Sequence, residues 1–157
     1  MLGSNSYAFA VHPSVPVNTL QELITYSRQH SGAVSYGTPG PGSLNHLTGE
    51  LFKSVTKAPD IIHVPYRGAG PAFADLLSGQ IPLAVISFQA PMMEFHRSGK
   101  IRILAVTSPE RLDFAPEIPT TAEVGLPRVD TLQFVGIFAP PDTPHGDRLG
   151  GYAAGSA

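Results

Sequence analysis

The sequence predicts an α/β domain in which helices cover both faces of a parallel β-sheet, a three-layer arrangement. Short β-rich runs alternate with amphipathic helical segments, and turn residues bound each of them. Two runs, Leu83–Ser87 and Ile101–Val106, are almost wholly apolar, which is typical of strands buried on both faces. The 157 residues suit one globular domain. This order of elements favours parallel strands joined by right-handed crossovers.

The first half of the chain contains three predicted strands separated by two helices. Asn18 or Thr19 caps the first helix, which runs to about His30. Ser43 caps the second helix, which runs to about Thr56. The predicted buried stripe of this second helix is Leu44, Leu47, Leu51 and Val55. The strands are Tyr7–His12, Val34–Tyr36 and Ile61–Val64.

The second half adds two helices and three strands. Pro71 opens one helix, which ends near Ser78 and Gly79, and Pro91–Arg97 is the other. Thr131–Ala139 follows the two apolar strands as the last predicted strand. Residues 140–157 are predicted to be an irregular tail, with a Gly/Ala-rich end that suggests non-native sequence.

Composition and charge exclude several classes of protein. Twelve acidic and ten basic residues give a net charge of −2, and the bases are not clustered, which argues against a nucleic-acid partner. The absence of cysteine excludes disulfides and thiolate catalysis. The six histidines are scattered, so the sequence predicts no metal site. No cofactor is predicted either. No apolar run is long enough to span a bilayer, and Met1–Pro13 lacks the features of a signal peptide.

The loop Gly37–Ser43 is the first candidate for ligand binding. Open parallel sheets bind ligands at the carboxyl ends of their strands, where this loop enters a helix. The helix N-terminus attracts anions, and Gly40 and Gly42 allow close approach of the backbone. The loop is therefore a candidate carboxylate cradle. The alternative is a tight turn that only caps its helix.

Two further loops lie at the same predicted edge. Tyr66–Gly70 repeats the strand, glycine turn and helix pattern. Its Tyr66 is either an apolar wall for a ligand or a packing residue, and Arg67 is either a carboxylate ligand or a solvated charge. Ser87–Ala90 follows the most apolar strand and provides polar side chains.

An enzymatic alternative depends on Ser43, His46 and Glu50. His46 and Glu50 are four residues apart and share a helical face, with Ser43 three residues before His46. These residues are the candidate acid–base or nucleophilic group of a small hydrolase or lyase. A serine that caps a helix directs its hydroxyl to that helix, and no Gly-x-Ser-x-Gly elbow occurs. The sequence therefore favours a binding protein over an enzyme, with no catalytic residue.

Several linked motifs resemble the Bug/TctC family of periplasmic solute-binding receptors, which serve tripartite tricarboxylate transporters. The longest is the run from Tyr36 to Phe52, YGTPGPGSLNHLTGELF. Others, in order, are HVPYRGAGPA from His63, DLLSGQ from Asp75, GKIRILAVTS from Gly99, PTTAEVGLP from Pro119 and FVGIFAP from Phe134. The resemblance covers about Tyr7–Pro144, mainly the second domain of these receptors.

The resemblance implies a periplasmic-binding-protein-like fold, of which this chain is a single jaw of a clamshell. It divides the chain into residues 1–6, a remnant of the first domain or a leader, residues 7–139, the ligand-binding domain, and the tail. It implies binding by backbone amides and hydroxyls of the three loops. The implied ligand-binding residues are Thr38, Gly40, Gly42, Ser43, His46, Tyr66, Gly68, Ala69, Gly70, Ser87, Phe88 and Gln89.

The resulting expectation is a periplasmic receptor, or a truncated fragment of one, that captures a small carboxylate for membrane transporter subunits. Pro39 and Pro41 depart from the family pattern, and each removes an N–H donor from the cradle. Ile86 and Ser87 stand where many members carry an acidic residue. One jaw covers only one side of a ligand, so a homo-oligomer is expected to provide the missing wall.

Overall fold

The computed structural model describes residues 3–58 and 60–135, with six strands and four helices in these two ranges. The strands are β1 (Gly3–Val11), β2 (Ser35–Thr38), β3 (Ile62–Pro65), β4 (Leu83–Ser87), β5 (Arg102–Val106) and β6 (Leu132–Val135). The helices are α1 (Leu20–Gln29), α2 (Leu44–Thr56), α3 (Ala69–Ser78) and α4 (Met92–Arg97). The predicted elements are all present within these ranges. Positions 136–157, which include the rest of the last predicted strand and the tail, lie outside the described residues.

The sheet has the strand order β3-β2-β4-β1-β5, and β6 pairs with the N-terminal half of β1. Strands β2, β3 and β4 are parallel, as predicted. The first strand differs from the prediction, because β1 runs antiparallel to β4, β5 and β6. The sheet is therefore mixed. β1 is inserted between β4 and β5, so no crossover connection links it directly to a neighbouring strand, and its run of apolar residues does not reveal strand direction.

Two hydrophobic clusters cover the two faces of the sheet and confirm the three-layer arrangement. On β1, Tyr7, Phe9 and Val11 point into one cluster, together with residues of α1 and α2. Ala8 and Ala10 point into the other cluster, with residues of α3 and α4. Successive side chains of a strand point to opposite faces, so β1 contributes to both clusters.

The buried face of α2 differs from the predicted leucine stripe. Its buried residues are Asn45, Thr48, Gly49, Phe52 and Thr56. Of the predicted stripe, Leu44 and Leu47 are 37% and 52% exposed, Leu51 is partly buried, and Val55 packs against the core. The buried polar groups are satisfied: the amide of Asn45 donates to the carbonyl of Val85 at 2.8 Å, for example. Hydrogen bonds from α2 to the sheet, together with the close packing of the helix on the sheet, therefore decide which face of α2 is buried.

The N-terminal half of β1 forms a two-stranded ribbon with β6 beside the main sheet. Gly3 pairs with Val135 and Ser6 with Leu132. The prediction began the first strand at Tyr7, whereas the structure begins it at Gly3. No helix in the described ranges is long and apolar enough to cross a membrane.

Candidate functional site

The loops that follow β2 and β3 contact each other at the carboxyl edge of the sheet. Parallel pairing brings the ends of the two strands together, with Thr38 opposite Pro65. Beyond the strands, the N–H of Tyr66 donates to the carbonyl of Thr38 at 2.9 Å, and the N–H of Gly68 donates to that of Pro39 at 3.0 Å. Two of the three predicted loops therefore form one continuous surface.

The loop Gly37–Ser43 uses many of its own donors internally. The hydroxyl of Ser43 donates to the carbonyl of Gly40 at 2.7 Å and accepts from the N–H of His46 at 3.2 Å. The N–H of Gly40 donates to the hydroxyl of Thr38 at 3.3 Å, and that of Gly42 donates to Nδ1 of His46 at 3.1 Å. The loop is thus a tightly bonded turn, and the first turn of α2 supplies further N–H groups at its end.

Two glycines of this loop have backbone angles that side chains disfavour. Gly40 has φ of 148° and Gly42 has φ of 76°. A residue with a Cβ atom is strained in this region, so the shape of the loop depends on glycine at both positions.

Two histidines stack beneath this loop. The rings of His46, from α2, and His63, from β3, have centroids 4.1 Å apart and are inclined by 26°. Nε2 of His63 lies 2.7 Å from the hydroxyl of Thr38. Burial, followed by the proximity of His46, lowers the pKa of His63 below its ordinary value. The backbone positions of the loop are therefore linked through side chains to a pair of imidazoles.

Glu50 belongs to a hydrogen-bonded group beside these histidines. Its carboxylate accepts from the hydroxyl of Tyr36 at 2.7 Å and from Nζ of Lys53 at 2.9 Å. Burial alone would raise the pKa of Glu50, but the bonds from Tyr36 and Lys53 lower it overall. Burial, together with the neighbouring Glu50, raises the pKa of Tyr36. The carboxylate of Glu50 is thus held in its ionised form.

The structure does not assemble Ser43, His46 and Glu50 into a catalytic group. The Ser43 hydroxyl donates to Gly40 and caps α2, while Nδ1 of His46 receives the N–H of Gly42. Glu50 is bonded to Tyr36 and Lys53. A nucleophile must share a hydrogen bond with its base, and these side chains are bonded to other groups. The enzymatic alternative therefore has no geometric support.

The ring of Tyr66, from the second loop, packs against Gly37 in the first loop. Its hydroxyl donates to Oδ2 of Asp75 at 2.7 Å, and a Cβ atom on Gly37 would lie 3.1 Å from its ring. Burial, then Asp75, raises the pKa of Tyr66 to about 12. Arg67 is exposed, as are Ala69 and Gly70 in the first turn of α3. Gly68 precedes that turn as the N-cap and has φ of 113°.

The third loop faces a separate cavity of about 600 Å³. Phe88 and Gln89 line it, with Ser6 of β1 and Leu132 of β6 beside them. The ring of Phe88 is buried and lies 5.3 Å from that of Phe114. Ser87 is half-buried at the end of β4. The structure therefore places Phe88 and Gln89 against β1 and β6, and Tyr66 against α3.

Sequence reasoning missed Ser108, which also lines this cavity. Its hydroxyl is buried and makes no hydrogen bond within the described part of the chain. The signal was present, because Ser108 follows β5 at the same edge of the sheet as the three predicted loops. His63 was also missed as a site residue. Only the pairing register of β2 and β3, which sets His63 opposite Tyr36, indicates the position of His63 at the site.

Comparison with known proteins gives consistent matches over most of the chain. A sequence profile described as the tripartite tricarboxylate transporter family receptor, TctC, matches residues 1–147. Protein BugT of Bordetella pertussis is 34% identical over 143 residues, which are 91% of this chain and 43% of BugT.

Two solved structures resemble the fold closely. One is a Rhodopseudomonas palustris protein with adipate, 35% identical, with a TM-score of 0.80 over 91% of this chain and 47% of the other. The other is MatC of the same organism with bound malate, 27% identical, with a TM-score of 0.81 over 93% of this chain and 49% of MatC. These matches confirm the periplasmic-binding-protein-like α/β fold.

The match covers a much larger share of this chain than of its relatives. The chain spans less than half of BugT and of the two solved proteins. Other solved relatives are described as periplasmic. The profile match over residues 1–147 and the identity to BugT show that the chain belongs to the TctC family of tripartite tricarboxylate transporter receptors.

Proposed function

We propose that this chain forms one jaw of a solute-binding receptor that captures a small carboxylate without chemical change. The carboxylate binds at the edge of the sheet where the loops after β2 and β3 meet. The observation that carries the proposal is the contact between these loops through Tyr66 and Gly68, which brings the segments that lead into α2 and α3 together at one edge of the sheet.

Electrostatics support a carboxylate as the ligand. The N-terminus of a helix carries a partial positive charge, and its first N–H groups have no partner within the helix. Two such ends at one surface attract an anion more strongly than one. The two solved relatives contain adipate and malate, both small dicarboxylates. We therefore propose a small mono- or dicarboxylate as the substrate class.

The individual roles proposed for the site residues follow from their positions. Around the β2–α2 loop, Thr38, Gly40, Gly42, Ser43 and His46 shape the anion site. Tyr66, Gly68, Ala69 and Gly70 form its second side. Ser87, Phe88 and Gln89 would contact the distal part of a longer ligand that extends to the separate cavity of the third loop.

The proposed setting is the periplasm, with the membrane subunits of a tripartite tricarboxylate transporter as partners. Small-molecule sites usually bury 70–90% or more of the ligand, which one jaw does not achieve. We therefore propose that a second jaw closes the site, supplied by another domain or by a second copy of this chain. Light scattering of the purified chain, with and without ligand, distinguishes a dimer from a monomer.

Titration of the amide NMR spectrum with adipate and malate tests the proposal. We expect the resonances of Gly40, Gly42 and Gly68 to shift with a common saturation curve. Gly32 and Gly99 lie at other turns and serve as internal controls. The neutral diamide of each acid is the matched ligand control. Shifts that are equal for acid and diamide, or that spare the loop glycines, contradict the proposal.

A further inference from the structure

The bond between Gly42 and His46 requires a particular protonation state of the imidazole. The backbone N–H of Gly42 donates to Nδ1 of His46 at 3.1 Å. A backbone N–H only donates, so Nδ1 must present a lone pair. This hydrogen bond therefore forms only with a neutral ring whose proton is on Nε2. The side chain of His46 is only partly buried, so protons reach it from solvent.

A second imidazole is linked to the same loop. The Thr38 hydroxyl lies 2.7 Å from Nε2 of His63 and accepts the N–H of Gly40 at 3.3 Å. This contact tolerates either protonation state, because the hydroxyl donates to a neutral ring and accepts from a charged one. Only the bond from His46 to the loop is incompatible with a protonated ring.

Ionisable side chains also lie near the stacked pair. Glu50 and Lys53 of α2 and the hydroxyl of Tyr36 of β2 form one hydrogen-bonded group beside it. Tyr36 also lies 5.0 Å from His63, ring centroid to ring centroid. Burial and the proximity of His46 lower the pKa of His63, which disfavours a proton on that ring. Two rings 4.1 Å apart do not readily carry charge together.

We propose that His46 is an acid-sensitive latch on the loop Gly37–Ser43, closed while its ring is neutral and open when Nδ1 takes up a proton from solvent. Protonation sets two donors, Nδ1–H and the N–H of Gly42, against each other. The hydrogen bond is then lost, and the charged imidazole remains beside the loop. Ser43 continues to cap α2, because its bond to the N–H of His46 does not involve the ring.

The open latch has a consequence for anions at the loop, which rests on the function proposed above. It frees the N–H of Gly42 and adds one positive charge nearby. Both effects favour a carboxylate. One unit charge at roughly 4 Å in water-like surroundings is worth about a fivefold change in affinity. We therefore expect the dissociation constant for adipate to be about fivefold lower with a protonated His46 than with a neutral one.

NMR of the ligand-free, 157-residue chain tests the latch independently of any ligand. We expect the amide resonance of Gly42 to move between pH 8 and pH 5 with the same midpoint as the ring resonances of His46. At pH 8 the ring nitrogens should show the Nε2–H tautomer. The latch is refuted if the amide resonance of Gly42 does not change with pH. It is also refuted if the midpoint of that change matches a histidine outside the loop, such as His30, and not His46.

Two variants separate charge from hydrogen bonding. His46→Asn places its amide oxygen where Nδ1 stands and does not titrate, so Gly42 should remain bonded and insensitive to pH. His46→Ala removes the acceptor, so Gly42 should resemble its acidic state at every pH. Circular dichroism and thermal melting confirm that each variant is folded. A pH response of Gly42 that survives in His46→Asn overturns the proposal.

Calorimetric titration with adipate then separates this inference from the proposed function. Tighter binding at pH 5.5 in the native chain, absent in His46→Asn, supports both. Binding that is independent of pH in the native chain overturns the link between latch and ligand. If adipate does not bind at any pH, the proposed function fails for this ligand, while the NMR titration still decides on the latch.

Discussion

Gly49 of α2 lies directly against the ring of Tyr36 in β2, so close that a Cβ atom at this position would overlap the ring. The contact brings α2 onto the sheet and sets the hydroxyl of Tyr36 within 2.7 Å of Glu50. Tyr36 is almost fully buried, which leaves its ring little room to move. A glycine in the middle of a helix costs about 1 kcal/mol relative to alanine, and this close approach is what it provides.

Gly49→Ala should therefore destabilise the domain despite the better helix propensity of alanine. Overpacking of a buried site costs about 1–3 kcal/mol, and we expect a loss in this range in urea denaturation. Ser54→Ala is the control, since Ser54 is an exposed residue within the same helix. The control should leave stability unchanged or raise it by up to about 1 kcal/mol. Equal effects of the two substitutions would contradict the contact.

The buried face of α2 shows what the sequence pattern could predict and what it could not. The bounds and the Ser43 cap of this helix were predicted, because caps and periodicity are local signals. Its orientation was not. Leucines at helical spacing indicated one face, whereas packing turned Gly49 and Asn45 inward. The space beside Tyr36 and the free carbonyl of Val85 exist only after the sheet has formed, so no local pattern reports them.

Asn45 and Leu47 give a direct test of this orientation. The Asn45 side chain is buried and bonded to the carbonyl of Val85 at 2.8 Å, whereas Leu47 is 52% exposed. Asn45→Ala should cost about 1–3 kcal/mol, because it removes the partner of a buried carbonyl. Leu47→Lys should change stability by less than about 0.5 kcal/mol. Urea denaturation measures the stability of both variants. A greater loss of stability in Leu47→Lys than in Asn45→Ala would mean that the leucines form the buried face of α2.

The site was predictable at the level of loops but not of hydrogen bonds. Glycine turns after apolar strands correctly indicated that the loops after β2 and β3 meet at the carboxyl edge, whereas the third predicted loop faces a separate cavity. The antiparallel β1 was missed, and with it the position of Ser6 beside the N–H of Phe88. The spacing of residues indicates neither the hydrogen bond from Gly42 to His46 nor the stacking of His46 on His63. Such contacts depend on strand register and on side-chain conformations.

Ser108 and Thr107 are neighbours with opposite expected effects. The Thr107 hydroxyl accepts from the N–H of Tyr7 at 2.9 Å and donates to the carbonyl of Thr131 at 2.7 Å. The Ser108 hydroxyl has no partner in the described residues. Ser108→Ala should leave stability unchanged or raise it by about 1 kcal/mol, since burying an unpaired hydroxyl is unfavourable.

Thr107→Val serves as the comparison, because it keeps the volume and loses both hydrogen bonds. We expect it to cost about 1–3 kcal/mol or more in the same urea denaturation experiment. A loss of stability in Ser108→Ala as large as that of Thr107→Val would show that Ser108 has a partner in solution.

Glu50 should make the stability of the domain depend on pH. The bonds from Tyr36 and Lys53 outweigh burial and lower the pKa of Glu50 in the folded state. The unfolded chain therefore binds a proton to this carboxylate at higher pH than the folded chain does. The resulting stabilisation is complete above the ordinary value of 4.5 and is lost as pH falls through the lowered pKa.

Glu50→Gln tests this dependence, because the amide oxygen still accepts from Tyr36 while the charge opposite Lys53 is gone. The native chain should be more stable than the variant at pH 7, and the difference should shrink between pH 4.5 and pH 3. Glu110→Gln, at an exposed position, controls for the loss of one negative charge. Urea denaturation at four pH values measures both. A difference that stays constant down to pH 3 would mean that the Glu50 carboxylate is not stabilised by its partners, and that Tyr36 and Lys53 act on this site by packing alone.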